Sequence, residues 1–446
     1  MRKKTIPITG YKESQKKNSG CERKRVMGMQ LRVNKERLKQ NIEELAQFGL
    51  NANGGVDRSI GSEADLLARK WLTDYAEKLG ARVHTDAIAN IHAVLPGTEH
   101  LKKLVIGSHH DAVPNGGKYD GAMGVLLGLE VMQCILENGI WLRHPYEVLM
   151  FTAEEPNPFS ISTMGSRSIT GKIPEEMLLS ATDCYSGMPL PEAIKRAGGD
   201  LSRLKEDRMT DKEMSAFIEC HIEQSRNLDD AKLSVATVKS ITGIYREVVT
   251  VQGEANHAGT TPMPYRKDAL TAASECVLAI EKIAREFGKT HIVATVGKLN
   301  VKPNSANIIS DSVSFIMEIR TSCEEEKQAF LQKVTEEFAG IEKERGVSIT
   351  REINLNQDGV VMSDLIQKVL TEETKPFQKK TVSLVSMAGH DAVHMTNLTK
   401  TGMLFVRSVN GKSHCAEEYT RIEDIEVAGN VLLASILRLD EMLDVI

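Results

Sequence analysis

The sequence predicts an α/β fold that is interrupted by an inserted α+β segment. The chain has 446 residues, which at roughly 100–200 residues per domain is enough for two or three compact units. From Leu31 onward helical and strand-like patterns alternate, and this favours an α/β architecture over separate all-α and all-β parts. In residues 245–353 the strand patterns become alternating or β-rich, and the first pattern resumes after Asn354. We therefore expect one α/β domain in two parts, residues 29–244 and 354–446, with an insert between them.

The first α/β part contains short apolar runs and longer helical patterns. Ser62, with Asp65 three residues later, forms a capping-box pattern at the start of a helix. That helix runs through Trp71 to Leu79, and Gly80 ends it. A second helix is predicted at 125–136, and buried strands are predicted at 89–95, 104–107, 146–152 and 216–220.

The insert, residues 245–353, has the order strand, helix, strand, strand, helix, strand. This order suits a compact α+β domain of about a hundred residues. Its clearest elements are strands at 245–251, 291–296 and 313–319 and helices at 268–287 and 324–343. The second α/β part then has buried strands at 382–385 and 403–406 and a closing helix at 422–443.

Composition and charge exclude several classes of protein. Lys and Arg total 56 against 61 for Asp and Glu, a net charge of −5, so neither nucleic acid nor an anionic membrane is an expected partner. No apolar run approaches the roughly 20 residues that span a bilayer. The 7 cysteines are widely spaced and form no C-x-x-C pair, which argues against a disulfide framework. We expect a globular, cytoplasmic protein.

Residues 1–28 are rich in Lys and Arg and have no apolar stretch of the kind found in secretory signals. We interpret them as a disordered, solvated basic tail, with a binding or targeting arm as the alternative.

Side chains that can ligate a metal follow four of the predicted buried strands. Open α/β sheets gather their sites at the carboxyl ends of strands. Imidazole and carboxylate ligands suit zinc, manganese, cobalt or nickel, and one carboxylate can bridge two ions about 3.5–4 Å apart. Taken singly, a histidine beside a strand is more often packed or on the surface, and a Glu-Glu pair is usually solvated. The candidates are His109 and Asp111, Glu154 and Glu155, His221, His414, and Asp120 in the Gly-rich loop 116–121.

The insert supplies a second group of polar residues. His257 lies among small, turn-forming residues in segment 253–262, which makes a loop able to approach a ligand. Segment 303–307 adds amides, and Arg320 adds a guanidinium, a combination that suits a carboxylate. Turn chemistry and a surface arginine are the alternative interpretation. The sequence contains no G-x-S-x-G, P-loop or G-x-G-x-x-G motif.

Taken together and in order, nine motifs resemble the carbamoylase family, from about residue 30 to the C-terminus. This family includes N-carbamoyl-L-amino acid hydrolase, β-ureidopropionase and allantoate amidohydrolase, and it is related to aminoacylases and dinuclear zinc exopeptidases. Pro158, Ser225 and Arg407 depart from common family residues, which bears on substrate preference because none is a proposed ligand. The motifs are GSHHDAV at 107–113, GKYDG at 117–121, EEP at 154–156, GSR at 165–167, HIEQ at 221–224, NHAGTTPM at 256–263, NSAN at 304–307, AGHDA at 388–392 and SH at 413–414.

The resemblance implies an aminopeptidase-like catalytic domain with a mixed sheet, two divalent metal ions per subunit, and a lid formed by the insert. The lid would also mediate a homodimer. By motif position, one ion would be held by His109, Asp120 and His221, and the other by Asp120, Glu155 and His414. Glu154 would be the general base, and Asp111 would orient His109. The residues implied to bind substrate are Gln224, His257, Asn307, Arg320 and Gly389, with His257 acting from the partner subunit.

The function that this resemblance implies is metal-dependent hydrolysis of the carbamoyl or ureido C–N bond of a small substrate that carries a carboxylate. An N-carbamoyl-L-amino acid is the first choice. Allantoate and β-ureidopropionate are close alternatives, because the same residues would bind the carboxylate of all three substrates. A dinuclear zinc peptidase or aminoacylase is the next hypothesis. A non-catalytic binding protein with the same fold is the alternative from a different class.

Overall fold

The structure is a computed structural model that describes residues 31–288 and 292–443. The basic tail predicted at 1–28 and residue 291 of a predicted strand lie outside these residues. Before the insert the helices are α1 (Lys35–Ala46), α2 (Glu63–Lys78), α3 (Ala122–Glu137), α4 (Met164–Ile169), α5 (Glu175–Ser180), α6 (Leu190–Arg196) and α7 (Asn227–Ala231). The strands there are β1 (Val56–Arg58), β2 (Arg82–Thr85), β3 (Ile91–Leu95), β4 (Lys103–His109), β5 (Ala112–Gly116), β6 (Tyr146–Phe151), β7 (Met214–Ile222) and β8 (Val235–Ile241).

The remaining elements form the insert and the second α/β part. The insert contains β9 (Gly243–Gln252), β10 (Asn256–His257), α8 (Ala269–Glu286), β11 (Ile292–Lys302), β12 (Ile308–Ile309), β13 (Ser312–Thr321), α9 (Glu324–Arg345) and β14 (Ser348–Gln357). After it come β15 (Val360–Val361), α10 (Asp364–Thr374), β16 (Ser383–Ser386), α11 (Ala392–Met395), β17 (Lys400–Val406) and α12 (Ile422–Met442).

A nine-stranded mixed sheet forms the centre of the α/β part. The strand order is β15-β8-β17-β7-β4-β6-β3-β2, and β16 pairs with β8. The pairs β4–β6, β4–β7 and β7–β17 are parallel, whereas β2–β3 and β3–β6 are antiparallel. Two large apolar cores surround this sheet. Every residue of β6 and β7 is buried, which explains why these strands appear in the sequence as nearly continuous apolar runs.

The predicted helices are present, and the first has the predicted cap. The Ser62 Oγ accepts a hydrogen bond from the Asp65 N–H at 3.2 Å, which satisfies one of the free amide groups at the helix start. The helix expected at 125–136 begins earlier, at Ala122, directly after the Gly-rich loop. Among the described residues, no helix is long and apolar enough to cross a membrane.

The insert builds a separate four-stranded antiparallel sheet with the order β11-β13-β9-β14. Along β13 every second residue is buried, so one face of the sheet is covered. Helices α8 and α9 supply that cover and share a third apolar core with the sheet. The strands of this sheet begin at Gly243 and end at Gln357, slightly outside the predicted limits of 245 and 353. The domain limits themselves remain a prediction.

Parallel pairing brings four strand ends to one edge of the large sheet. His109 pairs with Phe151 at the ends of β4 and β6, and His221 pairs with Phe405 near the ends of β7 and β17. Strand β7 is longer than predicted and includes His221. Strand β4 likewise ends at His109, so both of these candidate ligands lie on a strand itself rather than after it.

The loop that joins β17 to α12 carries His414, and a buried ion pair closes its base. Arg407 and Asp424 form hydrogen bonds of 2.8 Å from Nε to Oδ2 and 2.8 Å from Nη2 to Oδ1. Both side chains are buried. Arg407, one of the departures from the family pattern, therefore holds the two ends of this loop together.

Candidate metal and active site

Two histidines from different strand ends and one side chain from the Gly-rich loop before α3 converge on one point. The Nε2 of His221 lies 3.0 Å from Oδ1 of Asp120, and the Nε2 of His109 lies 3.7 Å from the same oxygen. The two Nε2 atoms are 3.4 Å apart. All three residues are buried, and they form a group able to hold a metal ion. This is the first set of ligands that the resemblance implies.

A second group shares Asp120. The Nε2 of His414 lies 3.4 Å from Oδ2 of Asp120 and 3.3 Å from Oε1 of Glu155. One carboxylate oxygen of Asp120 therefore faces each group, which is the arrangement required of a bridging carboxylate. The carboxylates of Asp120 and Glu155 raise the pKa of His414 to about 10. The carboxylates of Asp120 and Glu155 thus strongly stabilise a positive charge at the position of His414.

The side chains in these groups fit divalent ions. The backbone oxygens of Asp111 and Ile222 accept hydrogen bonds from Nδ1 of His109 at 3.2 Å and of His221 at 3.0 Å. In the neutral rings this leaves the Nε2 lone pairs directed towards Asp120. Among the residues that the structure describes, none donates a hydrogen bond to the buried Oδ1 of Asp120 or Oε1 of Glu155. Lone pairs and carboxylate oxygens crowded in this way repel one another unless a cation lies among them, and this donor set is one that zinc and manganese accept.

Glu154 lies beside the first group and outside the second. Its Oε2 is 3.8 Å from Nε2 of His109, and its side chain is buried. Burial and the charges of Glu155 and Asp391 raise the pKa of Glu154 well above its ordinary value, although His109 opposes the shift. A carboxyl group whose pKa is shifted towards neutrality is suited to taking up and releasing a proton.

Asp111 holds the segment that carries the two glutamates. Its Oδ1 accepts the N–H of Glu154 at 3.2 Å, and its Oδ2 accepts the N–H of Glu155 at 3.1 Å. Its Oδ1 also lies 3.5 Å from Nδ1 of His109. Asp111 therefore contacts a histidine of the first group and the backbone of both acidic residues, which is more than the orientation of His109 predicted from the sequence.

Three residues at the site have left-handed backbone conformations. The φ angles are 52° at Ala153, 59° at Gln224 and 57° at His414, a region that residues other than glycine seldom adopt. Strain of this kind persists where the surroundings enforce it, and it gathers at functional sites. A hydrogen bond holds the backbone of Ala153 in this conformation, because its carbonyl oxygen accepts the N–H of Met164 at 3.0 Å.

Two predicted substrate-binding residues lie at the site or reach towards it. Gln224 donates from Nε2 to Oδ2 of Asp120 at 2.9 Å. Arg320 donates from Nη1 to the carbonyl of Met387 at 2.8 Å and from Nε to Oε1 of Glu318 at 2.8 Å. Gly389 is two residues beyond Met387, and a Cβ placed on it would meet open space. Arg320 thus connects the insert to the segment that contains Gly389.

The other two predicted substrate residues, His257 and Asn307, are exposed. Their loops are joined, because the N–H of Ala258 donates to the carbonyl of Asn307 at 3.0 Å. The Nδ1 of His257 accepts the N–H groups of Gly259 at 3.1 Å and Thr260 at 3.2 Å. Its Nε2 is then the ring atom available to a ligand. Within the described ranges, no hydrogen bond or ion pair joins either residue to the groups around Asp120.

Several residues that support the site were not predicted from the sequence. Glu219 and His390 form a further buried group with His221, and the His390 ring packs edge-on against His221 with 4.5 Å between centroids. Glu219 could have been found, since it lies two residues before His221 on an extended strand and so shares its face. Glu418 gave no such signal, because a Glu pair in a loop usually lies in solvent.

Residues 105–438 match the sequence profile described as Peptidase family M20/M25/M40. The chain belongs to this family. M20 proteins are metal-dependent hydrolases, which agrees with the ligand groups around Asp120. The predicted enzyme class, a hydrolase, is confirmed.

Relatives within the M20 family align over nearly the whole chain. This chain is 36% identical over 407 residues to N-carbamoyl-L-amino acid amidohydrolase of Geobacillus stearothermophilus. The alignment covers 91% of this chain and 98% of that protein. The chain is 32% identical over 392 residues to allantoate amidohydrolase of Bacillus subtilis, with 88% and 94% covered. The resemblance to carbamoylases is confirmed.

Solved structures agree with the fold of this M20 protein. An amidase of the hydantoinase/carbamoylase family from Burkholderia multivorans superimposes with a TM-score of 0.82 at 30% identity, covering 92% of this chain and 98% of that chain. AtUAH in complex with (S)-hydroxyglycine gives a TM-score of 0.79 at 30% identity, with 92% and 99% covered. The predicted aminopeptidase-like α/β fold with a mixed sheet is confirmed.

Proposed function

We propose that this M20 hydrolase cleaves the carbamoyl or ureido C–N bond of a small substrate with a carboxylate group, with an N-carbamoyl-L-amino acid as the first choice. The observation that carries the proposal is the division of the Asp120 carboxylate between two ligand groups, with Glu154 beside them. Support for this bond type comes from the N-carbamoyl-L-amino acid amidohydrolase relative, which aligns over 98% of its length.

We propose two divalent ions per subunit. Asp120 would contribute to both sites, because Oδ1 faces His221 and Oδ2 faces His414. Such ions polarise a carbonyl group and lower the pKa of water. His109 completes the first ligand set, and Glu155 completes the second.

Glu154 has the location and environment of a general base. It would take a proton from the attacking water and return it to the leaving nitrogen, so the same carboxyl group serves both steps. The new C–O bond forms at the ureido carbon as the C–N bond breaks. For an N-carbamoyl-L-amino acid the overall products are the amino acid, carbon dioxide and ammonia, which balances one substrate with one water. Asp111 keeps Glu154 in place through the backbone N–H.

The substrate carboxylate would be held mainly by the insert. Arg320 offers a planar guanidinium suited to a carboxylate, and its bond to Met387 directs it to the segment of Gly389. Gln224, already at Asp120, would contact the carbonyl end. The related AtUAH was crystallised with (S)-hydroxyglycine, a small molecule that itself has a carboxylate.

We further propose a homodimer in which His257 and Asn307 act on the site of the partner subunit. Both residues are exposed, and in the part of the chain that the structure describes neither forms a hydrogen bond or ion pair with the groups around Asp120. The sheet pairing between β10 and β12 holds the two loops together, so they would reach a second copy as a unit.

The decisive experiment measures ammonia release by metal-reconstituted protein from a panel of substrates. The panel contains N-carbamoyl-L-amino acids, their D-enantiomers, N-carbamoyl-β-alanine and allantoate, with dipeptides and N-acetyl-amino acids as controls. We expect the fastest ammonia release from an N-carbamoyl-L-amino acid. Faster release from allantoate or N-carbamoyl-β-alanine would move the substrate to that alternative. Amino acid release from dipeptides without ammonia would establish a peptidase and contradict the proposal.

A further inference from the structure

We propose that Glu418 is a positioning residue for Asp120 and that it connects the loop of Asp120 to the loop of His414. The inference rests on the metal sites of the proposed function and adds to them a residue outside the ligand set. The two loops are far apart in the chain, since the positions of Asp120 and Glu418 differ by 298. They supply ligands to the same pair of groups, so their relative position has to be maintained.

The carboxylate of Glu418 binds the backbone of the Asp120 loop. Its Oε1 accepts the N–H of Tyr119 at 3.1 Å and the N–H of Asp120 at 3.1 Å. The side chain is only 5% exposed. Without it, two amide groups in a buried loop would lose their acceptor, and an unsatisfied buried amide is unfavourable. The loop could recover such a loss only by moving towards another acceptor or towards water.

The same loop of Glu418 also constrains the side chain of Asp120. The Oγ of Ser413 lies 2.9 Å from Oδ2 of Asp120 and 3.3 Å from Oε2 of Glu418. Ser413 directly precedes the ligand His414. The loop between β17 and α12 therefore holds both the backbone and the carboxylate of Asp120. Glu418 contacts the backbone directly, and it reaches the carboxylate through Ser413.

Gly117 shows how closely the two loops approach. A Cβ added at Gly117 would lie 2.0 Å from Oε1 of Glu418. The φ angle of Gly117 is outside the left-handed region, so the close approach of Glu418, rather than the backbone conformation, requires glycine here. An alanine at this position would push against the carboxylate without altering any charge. This provides an independent way to displace Glu418.

Asp120 offers one oxygen to each ligand group, so a displaced Asp120 loop would disturb both ions at once. Residues that hold a metal ligand in place typically contribute a factor of about 10–100 in metal affinity. A buried carboxylate that only stabilises the fold would instead lower the melting temperature and leave metal affinity unchanged. The chain has a suitable example in Glu130, which is 1% exposed and accepts the N–H of Asn34 at 2.7 Å.

The test measures the affinity of the metal-free full-length protein for Zn²⁺ by competition with a chromophoric chelator, together with the melting temperature. The variants are Glu418→Ala, Glu418→Gln and Gly117→Ala, with Glu130→Ala and the exposed neighbour Glu417→Ala as controls. We expect Glu418→Ala and Gly117→Ala to weaken binding by about 10–100-fold. Glu418→Gln should stay within about threefold of wild type, because its amide oxygen still accepts both N–H groups and its NH₂ can donate to Ser413.

The results separate this inference from the proposed function. If wild type binds no Zn²⁺, the proposed function fails. If wild type binds Zn²⁺ and Glu418→Ala binds it equally well with a lowered melting temperature, as expected for Glu130→Ala, Glu418 is only structural and the inference is overturned. Should Glu418→Ala not fold, Gly117→Ala decides, since unchanged affinity there overturns the inference as well. Failure of Glu418→Gln to restore affinity would also contradict it.

Discussion

Glu154 and Glu155 are neighbours in sequence, yet the structure separates their environments. Glu155 faces His414 at 3.3 Å, whereas Glu154 lies 3.8 Å from His109 and is not needed to complete either proposed ligand set. Successive side chains at the end of a strand point in different directions. One of two adjacent residues can therefore be a metal ligand while the other is a general base. Asp111 holds both through their N–H groups.

The assignment of Glu154 as base predicts that Glu154→Gln keeps metal but loses turnover. The amide has nearly the same shape, but it cannot accept the proton of the attacking water. Loss of a general base typically costs about 10²–10⁴-fold in rate. The measurements are kcat for ammonia release and metal content by elemental analysis. A loss of half the metal would show that Glu154 is a ligand and that the roles of Glu154 and Glu155 are reversed. Glu155→Gln is the matched control and should lose metal.

At the scale of secondary structure, the sequence predicts well the elements whose pattern is local. Strands β4, β6, β7 and β17 are buried almost throughout, so their apolar runs are visible without knowledge of their neighbours. Their carboxyl ends could therefore be placed together, and with them the candidate ligands. The long helices α8 and α9 are visible because their buried residues recur at helical spacing along one face.

Elements that depend on distant partners are not visible in this way. Helices α4, α5 and α6 have 6, 6 and 7 residues, too few for a helical period to be recognised. Strand β2 has a half-exposed pattern at the edge of the sheet. At the site, the contact of Glu418 with the Asp120 loop joins residues 298 positions apart, and no local pattern reports such a contact.

Strand β13 places Arg320 between the insert and the segment of Gly389, and this predicts the effect of Arg320→Lys. Lysine keeps the charge but loses the planar pair of donors. We expect a loss of roughly 1.5–3 kcal/mol in transition-state stabilisation, the range of a charge-assisted hydrogen bond. The measurement is kcat/KM for the substrate and for its amide analogue, which lacks the carboxylate. Arg246→Lys is the matched control, since Arg246 pairs with the same Glu318.

Only the carboxylate substrate should respond to Arg320→Lys, and Arg246→Lys should affect neither compound. An equal loss for the substrate and the amide analogue would show that Arg320 is structural. The proposal of a carboxylate-bearing substrate would then lose its main support.

Strands β3 and β6 share a buried charged pair that predicts a pH dependence of stability. Nδ1 of His92 lies 2.5 Å from Oε1 of Glu147, and Asp86 lies on the other side of the ring at 3.3 Å. Burial alone lowers the pKa of His92, but the charge of Glu147 and the hydrogen bond to Asp86 outweigh it and raise the pKa to about 9. A histidine pKa raised by folding stabilises the protein fully below the unfolded value near 6.5. That contribution is lost as the pH rises through about 9.

We therefore expect His92→Gln to cost on the order of 3 kcal/mol at pH 6 and progressively less as the pH approaches 9.5. The measurement is the difference in unfolding free energy between wild type and His92→Gln at each pH, because other titrating groups are common to both proteins. A difference that stays constant from pH 6 to 9.5 would show that His92 is not charged in the folded protein.

At the scale of the whole molecule, the insert is attached through two adjacent crossings. Ile241, which lies just before the insert, pairs with Val360, which lies just after it. Between the sheets the two connections touch, since a Cβ on Gly243 would lie 2.9 Å from the nitrogen of Gly359. As far as the described residues go, the apolar core of the insert consists of insert residues alone, and the two cores of the large sheet contain none of them. Units with their own cores and few crossings are able to fold independently.

This arrangement predicts that residues 243–358 can be replaced by two glycines without unfolding the rest. The strand pairing at Ile241 and Val360 already brings the ends together, so closing the gap should cost little loop entropy. All five proposed metal ligands, including Asp120, remain, and the shortened protein should bind the same number of divalent ions as wild type. It lacks Arg320, Asn307 and His257, so ammonia release should fall by at least about 10²-fold. Without the proposed dimer surface, light scattering should report a monomer. Retention of activity would show that the carboxylate is held elsewhere, and loss of metal together with the folded state would show that the insert is part of the catalytic core.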